Sequence, residues 1–254
     1  ATNPRFGPED WIGVGVSHRP DGLSVSVWDA RRMDRLDWVK GLPIIELNIA
    51  GSGVTDLTPL RETRIQVLDI SWTRAPDLGH LVGTQIRELR LYGGPNRDLT
   101  PLTRLNLKSL AMDNVSSLVP LRHLRLETIE VRRSTFTDLS PLQEMPLKSL
   151  RLEQVPVQDL TPLRRMPLTE LEITGSSVRD LSPLRQLPLV RLIITDCPIN
   201  NLTPLRDLKL QQLDISGTQV SSLAVLRGMP LRDLRANRVQ VLNLDPLREL
   251  PLAR

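Results

Sequence analysis

Histidine and cysteine are the side chains that most often serve as metal ligands or nucleophiles, and the 254-residue chain has four of them: His18, His80, His123 and Cys197. Zinc sites and Cys–His pairs need such residues at short spacings or in matched motifs. Here the histidines stand 62 and 43 positions apart, and Cys197 lies 74 positions beyond the last of them. No phosphate-binding loop is present either. We therefore expect no metal, no cofactor and no enzymatic activity in this chain.

The element that positions these residues is a repeat. An apolar residue opens each unit at intervals of 21, with one interval of 19, and ten units run from position 44 to about 252. Within a unit, the apolar positions 4 and 6 alternate with polar neighbours, as in a strand with one buried face. The opening residues are Ile44, Ile65, Ile86, Leu107, Leu126, Leu147, Leu168, Leu189, Leu210, Leu231 and, at the end, Leu252.

The recurring motif DLTPL, with its variants DLSPL and NLTPL, follows the strand signal in six of the ten units. A Ser or Thr before Pro, as in Thr58-Pro59, predicts a hydroxyl N-cap with Pro at the first helical position. The Asp two residues earlier can bond backbone amides of the turn. A second Pro, such as Pro146, ends the turn and leads into the next strand. Each repeat is therefore a strand, a turn and a short helical segment.

The stretch LTELEITGSSVRDLSPLRQLP (168–188) resembles a short leucine-rich repeat of the internalin-like bacterial subtype, and the resemblance covers residues 44–252. It implies an α/β repeat solenoid. This is a right-handed horseshoe with a concave parallel β-sheet and short 3-10 or helical turns on the convex side. The family usually has Asn at position 9, where this chain has small hydroxyls, Gly94, Cys197 and two valines, Val155 and Val239. We expect the hydrogen-bond ladder along that turn to be broken in places.

The pattern predicts two regions. Residues 1–43 read as an N-terminal cap, formed by a β-hairpin (12–17 and 23–28) and a degenerate repeat, with Trp11, Trp28 and Trp38 in its core. Residues 44–254 hold the ten repeats, with no evident C-terminal cap. Apolar residues of the last unit would lie near an open end, so we expect either that the full-length protein continues or that this edge self-associates. They are Leu231, Leu234, Leu244 and Leu247.

Composition narrows the function classes. Basic and acidic residues number 33 and 29 and are interleaved, so the net charge of +4 makes nucleic acid an unexpected partner. We expect the arginines at position 18 of the later repeats (164, 185, 206, 227 and 248) to pair with nearby carboxylates. No apolar run reaches the ~20 residues of a membrane span. A single cysteine excludes a disulfide-rich secreted scaffold, and leaves cytoplasmic and bacterial exported locations both open.

The resemblance implies that ligands contact the concave sheet. Trp72 and Tyr92 stand there at exposed positions of neighbouring strands, close to arginines, which is the composition of interface hot spots. The alternative is that Trp72 folds over a repeat edge and the charges pair laterally. The predicted partner-binding residues are Asp69, Trp72, Arg90, Tyr92, Asp113, Glu130, Arg132, Arg133 and Arg151.

The leading hypothesis is a non-catalytic module that recognises a protein partner through the concave face. Two alternatives stay open at this point. One is a surface adhesion or carbohydrate-binding protein. The other is the sensory or scaffold part of a larger signalling enzyme, such as a bacterial kinase.

Overall fold

The computed structural model describes residues 13–28, 30–75, 77–94 and 98–252. The chain divides into two compact units, and the boundary falls after Asn114. That point lies in the one repeat that is two residues shorter than the others. The predicted division at residue 43 stays a prediction.

The first unit contains strands β1 to β6. Their bounds are Gly13–Arg19, Gly22–Trp28, Ile44–Asn48, Val67–Asp69, Glu88–Leu91 and Ser109–Asp113. β1 and β2 form the predicted hairpin, pairing antiparallel from Gly13↔Trp28 to Arg19↔Gly22. β2 to β6 then pair in parallel in chain order. The hairpin is thus joined to the parallel sheet through β2.

The second unit contains strands β7 to β12, which pair in parallel in chain order. Their bounds are Thr128–Arg132, Ser149–Glu153, Glu170–Thr174, Arg191–Thr195, Gln212–Asp214 and Asp233–Arg235. Residues one period apart are direct partners, for example Leu150↔Leu171 and Leu171↔Leu192. The 21-residue period is therefore the register of the sheet.

One short 3-10 helix lies before β3, and another follows each strand from β3 to β12. Their bounds are Asp37–Val39, Thr58–Glu62, Leu78–Leu81, Thr100–Arg104, Val119–Leu121, Ser140–Leu142, Thr161–Leu163, Ser182–Leu184, Thr203–Leu205, Ala224–Leu226 and Asp245–Leu247. Parallel strands need a crossover connection, and here it is a 3-10 turn because 21 residues leave no room for a long helix. The predicted leucine-rich-repeat architecture, a parallel sheet with 3-10 turns, is confirmed.

The core is a stack of aliphatic columns. In the repeat that starts at Leu168, the side chains of Leu171, Ile173, Val178, Leu181 and Leu184 are all buried. In the last repeat the same columns are less covered: Leu234 and Leu247 are half-buried and Leu244 is 59% exposed. Leu231, which the sequence also placed near an open end, is fully buried.

The caps of the 3-10 turns differ from the prediction. Leu57 occupies the N-cap of Thr58–Glu62 without a side-chain hydrogen bond, and Thr58 is already helical. The group that satisfies the turn is the carboxylate of Asp56, whose Oδ1 accepts the Thr58 N–H at 2.8 Å. Because a carboxylate two residues upstream reaches this N–H, the hydroxyl is free for another role. In Ser140 it donates to Asp138 at 2.7 Å.

These hydrogen bonds lower the pKa of five aspartates below its ordinary value. In four of them the main cause is the hydroxyl of the Ser or Thr two residues later, followed by its backbone N–H; in Asp138 the N–H of Ser140 comes first. Asn201 and Asn243 make the same backbone bond at 2.9 and 2.8 Å without a titrating group. The five aspartates are Asp56, Asp98, Asp138, Asp159 and Asp180.

We predict an acid-sensitive stability with a defined sign. The pKa of each aspartate is lower in the folded chain than in the unfolded chain, where it is about 3.9. The ionised aspartates therefore stabilise the fold fully above that pH, and this stabilisation is lost as the pH falls through their folded pKa values. Urea midpoints measured between pH 6 and pH 2.5 should therefore fall more steeply for the wild type than for a variant with Asn at all five positions. Parallel pH profiles would contradict this account.

The sequence predicted that Trp28 and Trp38 lie in the core of the N-terminal region, and the structure shows that they do not. Trp11 lies outside the described residues, and Trp28 and Trp38 are exposed. Val25 and Val27 are the buried residues of β2. Because successive side chains of a strand point to opposite faces, their burial turns Trp28 outward.

Candidate functional site

The turn after each strand passes through the left-handed region at one fixed position, the eighth of the repeat. Only glycine adopts this conformation without strain, while other L-residues crowd Cβ against the backbone at a cost of about 1–2 kcal/mol. Six of the ten residues are Gly, Asn or Asp, which tolerate it best. The ten are Gly51, Trp72, Gly93, Asn114, Arg133, Gln154, Gly175, Asp196, Gly217 and Arg238.

Trp72 is the most unfavourable residue in this series. Its φ is 55°, and its side chain is 56% exposed. The indole lies over Gly93, where an added Cβ would stand 2.0 Å from Trp72 Cδ1. It also meets the Tyr92 ring at a centroid distance of 6.2 Å and an interplanar angle of 38°. The two aromatic residues that the sequence singled out therefore form one pair in the first unit, in which Trp72 is exposed and Tyr92 is half-buried.

The charged residues predicted beside this pair have separate roles. Asp69 and Arg90 are direct partners across β4 and β5. The Asp69 carboxylate accepts the Ser71 N–H at 2.9 Å, and the Asp113 carboxylate accepts the Gly93 N–H at 2.7 Å. Asp113 thereby fixes the turn on which the Trp72 indole rests. Arg90 is exposed on the same strand face.

Trp28 is a surface aromatic that the sequence reasoning missed. It is 51% exposed, and its indole lies against Gly13 and Gly15 of the paired strand. Ser26 pairs with Asn48 of β3, so Trp28, two residues on, points to the exposed sheet face. The alternation in LSVSVW was the signal, since Val25 and Val27 can point inward only if Trp28 points outward. The first unit thus presents Trp28, Trp72 and Tyr92 on that face.

In the second unit, the predicted charges pair laterally. Arg132 donates to Glu130 at 2.7 Å and lies 3.4 Å from Glu153. Arg151 lies 3.0 Å from Glu172, and Arg191 reaches the other oxygen of Glu172 at 3.5 Å. We call these six residues of β7 to β10 the charge ladder. Its three arginines and three glutamates balance, and sequence reasoning missed the last two members, Glu172 and Arg191.

Arg133, at the left-handed position that follows β7, is exposed and is not part of this ladder. The ladder matches the lateral-pairing alternative for Glu130, Arg132 and Arg151. The prediction that these residues contact a partner stays a prediction.

Glu172 is the ladder residue whose loss we expect to matter most, because its side chain is 14% exposed and it serves two arginines. We predict that Glu172→Ala lowers the free energy of unfolding by about 1.5–3 kcal/mol, the range for hydrogen bonds to charged groups. Glu153→Ala, at a side chain 35% exposed, should cost less. Urea unfolding of both variants would test this, and equal losses would contradict it.

The residues first considered for chemistry are dispersed. Cys197 is buried, with Sγ 3.3 Å from both Ser176 Oγ and the Thr195 carbonyl oxygen, which is a structural setting. His80 lies between two turn carboxylates, 3.3 Å from Asp56 and 3.5 Å from Asp77. In the described part of the chain, no group of three or more His, Cys, Asp or Glu side chains is placed to hold a metal ion.

The arginine column at position 18 departs from the expectation of pairing. Arg248 lies 3.2 Å from Asp245 of its own turn. Among the described residues, Arg164, Arg185, Arg206 and Arg227 form no ion pair within 4.0 Å. These side chains are exposed on the 3-10 side of the second unit.

None of the described helices is long and apolar enough to cross a membrane.

Comparisons with known proteins identify the fold. No protein-family model matches the chain, and no curated protein sequence matches it. An internalin (inlF) from Listeria monocytogenes superposes with a TM-score of 0.73 at 21% identity, over 87% of this chain and 76% of that one. Internalin C2 (inlC2) from the same organism gives 0.55 at 24% identity, over 67% and 80%.

The PEPR1-AtPEP1 structure gives a TM-score of 0.59 at 18% identity, over 82% of this chain and 34% of that chain. This chain therefore spans about a third of that neighbour's length. At identities this low, the superpositions show similarity of fold alone. The repeat register, the parallel strands and the 3-10 turns agree with that similarity. The chain has the leucine-rich-repeat fold in its internalin-like form.

Proposed function

We propose that this protein is a non-catalytic recognition module that binds a protein partner through the exposed sheet face, with Trp72 at the centre of the contact. The observation that carries the proposal is the strained, exposed Trp72. Four repeats have Gly at the same turn position, so the fold itself has no need of an indole there. Backbone strain of this kind concentrates at functional sites.

The surroundings of Trp72 support protein recognition. Binding energy at interfaces concentrates in Trp, Tyr and Arg side chains that a partner can cover. Trp28, Trp72 and Tyr92 offer three such side chains on one face of the first unit. The PEPR1-AtPEP1 structure couples a chain of similar fold with a second named component. By contrast, the arginines and glutamates of the charge ladder in the second unit already form ion pairs with one another.

The experiment is a capture comparison with three forms of the protein as bait, in lysate and surface fractions of the source organism. They are the wild type, Trp72→Gly and Gln154→Gly, which makes the same change at the same repeat position in the second unit. A protein held by wild type and Gln154→Gly and lost by Trp72→Gly supports the proposal. Capture that all three share removes Trp72 from the site.

Carbohydrate binding, the adhesion alternative, is separated by the same three baits on a glycan array. An indole can also stack on a sugar ring, so a glycan bound in a Trp72-dependent manner, without any Trp72-dependent protein, would replace protein recognition with carbohydrate recognition. The association with a larger signalling enzyme and the self-association of the C-terminal edge remain predictions.

A further inference from the structure

Next to Trp72, the first unit has an open cleft of about 510 Å³. It lies where β3 and β4 run into their turns. The cleft is lined by Arg31, Ala50, Gly51, Ser52, Trp72 and Arg74. Its floor is therefore made of small residues, one wall is an indole, and none of the lining residues that the structure describes is acidic.

The two arginines of the cleft are uncommitted. Arg31 and Arg74 are exposed, and within the described ranges neither makes an ion pair or a side-chain hydrogen bond. This contrasts with Arg132, Arg151 and Arg191 of the charge ladder, each of which contacts at least one glutamate. Two unpaired guanidinium groups beside one cleft attract an anion, and a guanidinium fork matches a carboxylate in shape and charge.

A buried hydroxyl in the cleft lining is also without a partner. Ser52 is 2% exposed, and its Oγ makes no hydrogen bond. At the same repeat position, Thr73 and Thr218 donate to the carbonyls of Ile70 and Ile215 at 2.7 Å. Buried polar groups are nearly always hydrogen-bonded, so the Ser52 hydroxyl leaves one unused hydrogen-bonding group in the cleft lining, which a bound water or a ligand group would satisfy.

The backbone holds this cleft in shape. A Cβ at Gly53 would stand 2.6 Å from the Arg31 carbonyl oxygen, so the segment carrying Arg31 lies tightly against the turn after β3. Gly51, at φ 74°, opens that turn. The backbone of Arg31 is thus held against this turn, which reduces the backbone entropy lost when a ligand binds.

We propose that this cleft binds a short acidic segment of the protein partner, an inference that rests on the proposed function. A carboxylate lies between Arg31 and Arg74, and an adjacent apolar side chain lies on the Trp72 indole. A short segment fits better than a long polyanion, because Glu46, Asp69 and Glu88 on the strands of the same unit interrupt the positive charge.

The test uses a random peptide library displayed on phage and selected on the wild-type protein. Selected peptides are then synthesised, and their Kd values are measured on wild type, Trp72→Gly, the double variant Arg31→Glu/Arg74→Glu, and the control Arg164→Glu/Arg185→Glu. The control reverses two exposed, unpaired arginines on the 3-10 side of the second unit. Urea unfolding checks that all forms are folded.

We expect the peptides to carry Asp or Glu next to an apolar residue. Both Trp72→Gly and the cleft double variant should weaken them by roughly 30-fold or more, as for loss of a hot spot, and the control should leave them unchanged. The acidic-segment inference would be overturned, and the proposed function left standing, by either of two results. One is a peptide whose affinity depends on Trp72 but which contains no acidic residue. The other is a peptide whose affinity depends on Trp72 but is unchanged in the Arg31→Glu/Arg74→Glu variant. If no selected peptide depends on Trp72 while a captured protein still does, the acidic-segment inference fails and the proposed function stands; if neither a peptide nor a captured protein depends on Trp72, both fail. Tighter, arginine-dependent binding of a single-stranded oligonucleotide probe would also overturn the inference.

Discussion

Leu181→Ala should lower the free energy of unfolding by ~2–5 kcal/mol, the range for a buried leucine in a well-packed core. Leu181 is 1% exposed, and it packs in the column of leucines that precede the 3-10 turns. Removing its side chain leaves a cavity bounded by neighbouring repeats as well as its own. Because each repeat depends on its neighbours for burial, the loss is felt by more than one of them.

The matched control is Leu244→Ala, the same substitution at the same position of the last repeat. Leu244 is 59% exposed, so its truncation should change stability by about 0.5 kcal/mol or less. Urea denaturation followed by circular dichroism measures both, with the slope of the transition compared to check that the unit still unfolds cooperatively. Similar losses in the two variants would mean that burial differs less between the repeats than the structure indicates.

The repeat and its register followed directly from the sequence, because both rest on apolar spacing. A column of leucines every 21 residues can be buried only if consecutive strands lie side by side in parallel. Any other pairing would bring buried positions opposite polar ones. The pairs Leu150↔Leu171 and Leu171↔Leu192 are the structural form of that spacing.

The left-handed conformation at position 8 of the repeat could not be predicted from Trp72 or Gln154 taken singly. Trp72 and Gln154 have no turn preference, and the conformation is imposed on them by stacking against neighbouring repeats. A signal was nevertheless present in the column as a whole, where Gly51, Gly93, Gly175 and Gly217 share the position. Read down the column, rather than along the chain, these glycines predict a backbone requirement that Trp72 must also meet.

The candidate site was predicted in part for a similar reason. The outward direction of Tyr92 follows from strand alternation, because Leu89 and Leu91 on either side of Arg90 are buried. Alternation alone would turn Trp72 to the same face as the buried Leu68 and Ile70, and it is exposed instead because its residue takes the left-handed conformation. The cleft beside Trp72 depends on Arg31, which comes from a segment before β3 whose path no local pattern reveals. Ser52 looks in sequence like any other small hydroxyl at position 9, and only its lack of a partner in the folded chain distinguishes it.

Trp72→Gly should weaken partner binding by roughly 30-fold or more while leaving stability within ~1 kcal/mol of the wild type. The loss of affinity is that of a hot-spot tryptophan, about 2 kcal/mol or more. The stability change is small because two effects oppose each other. Glycine relieves the left-handed strain, whereas removal of the indole ends an aromatic contact with Tyr92 of about 0.5–1.5 kcal/mol.

Gln154→Gly separates the two effects. Gln154 has φ 54° and an exposed side chain, with no aromatic contact to lose. It should therefore keep full affinity and gain up to ~1 kcal/mol of stability, once the entropic cost of glycine is subtracted. Both variants are measured by urea unfolding and by calorimetric titration with the captured partner. If Trp72→Gly were destabilised by several kcal/mol, the indole would be a structural element of the repeat, and the strain at Trp72 would need no partner to explain it.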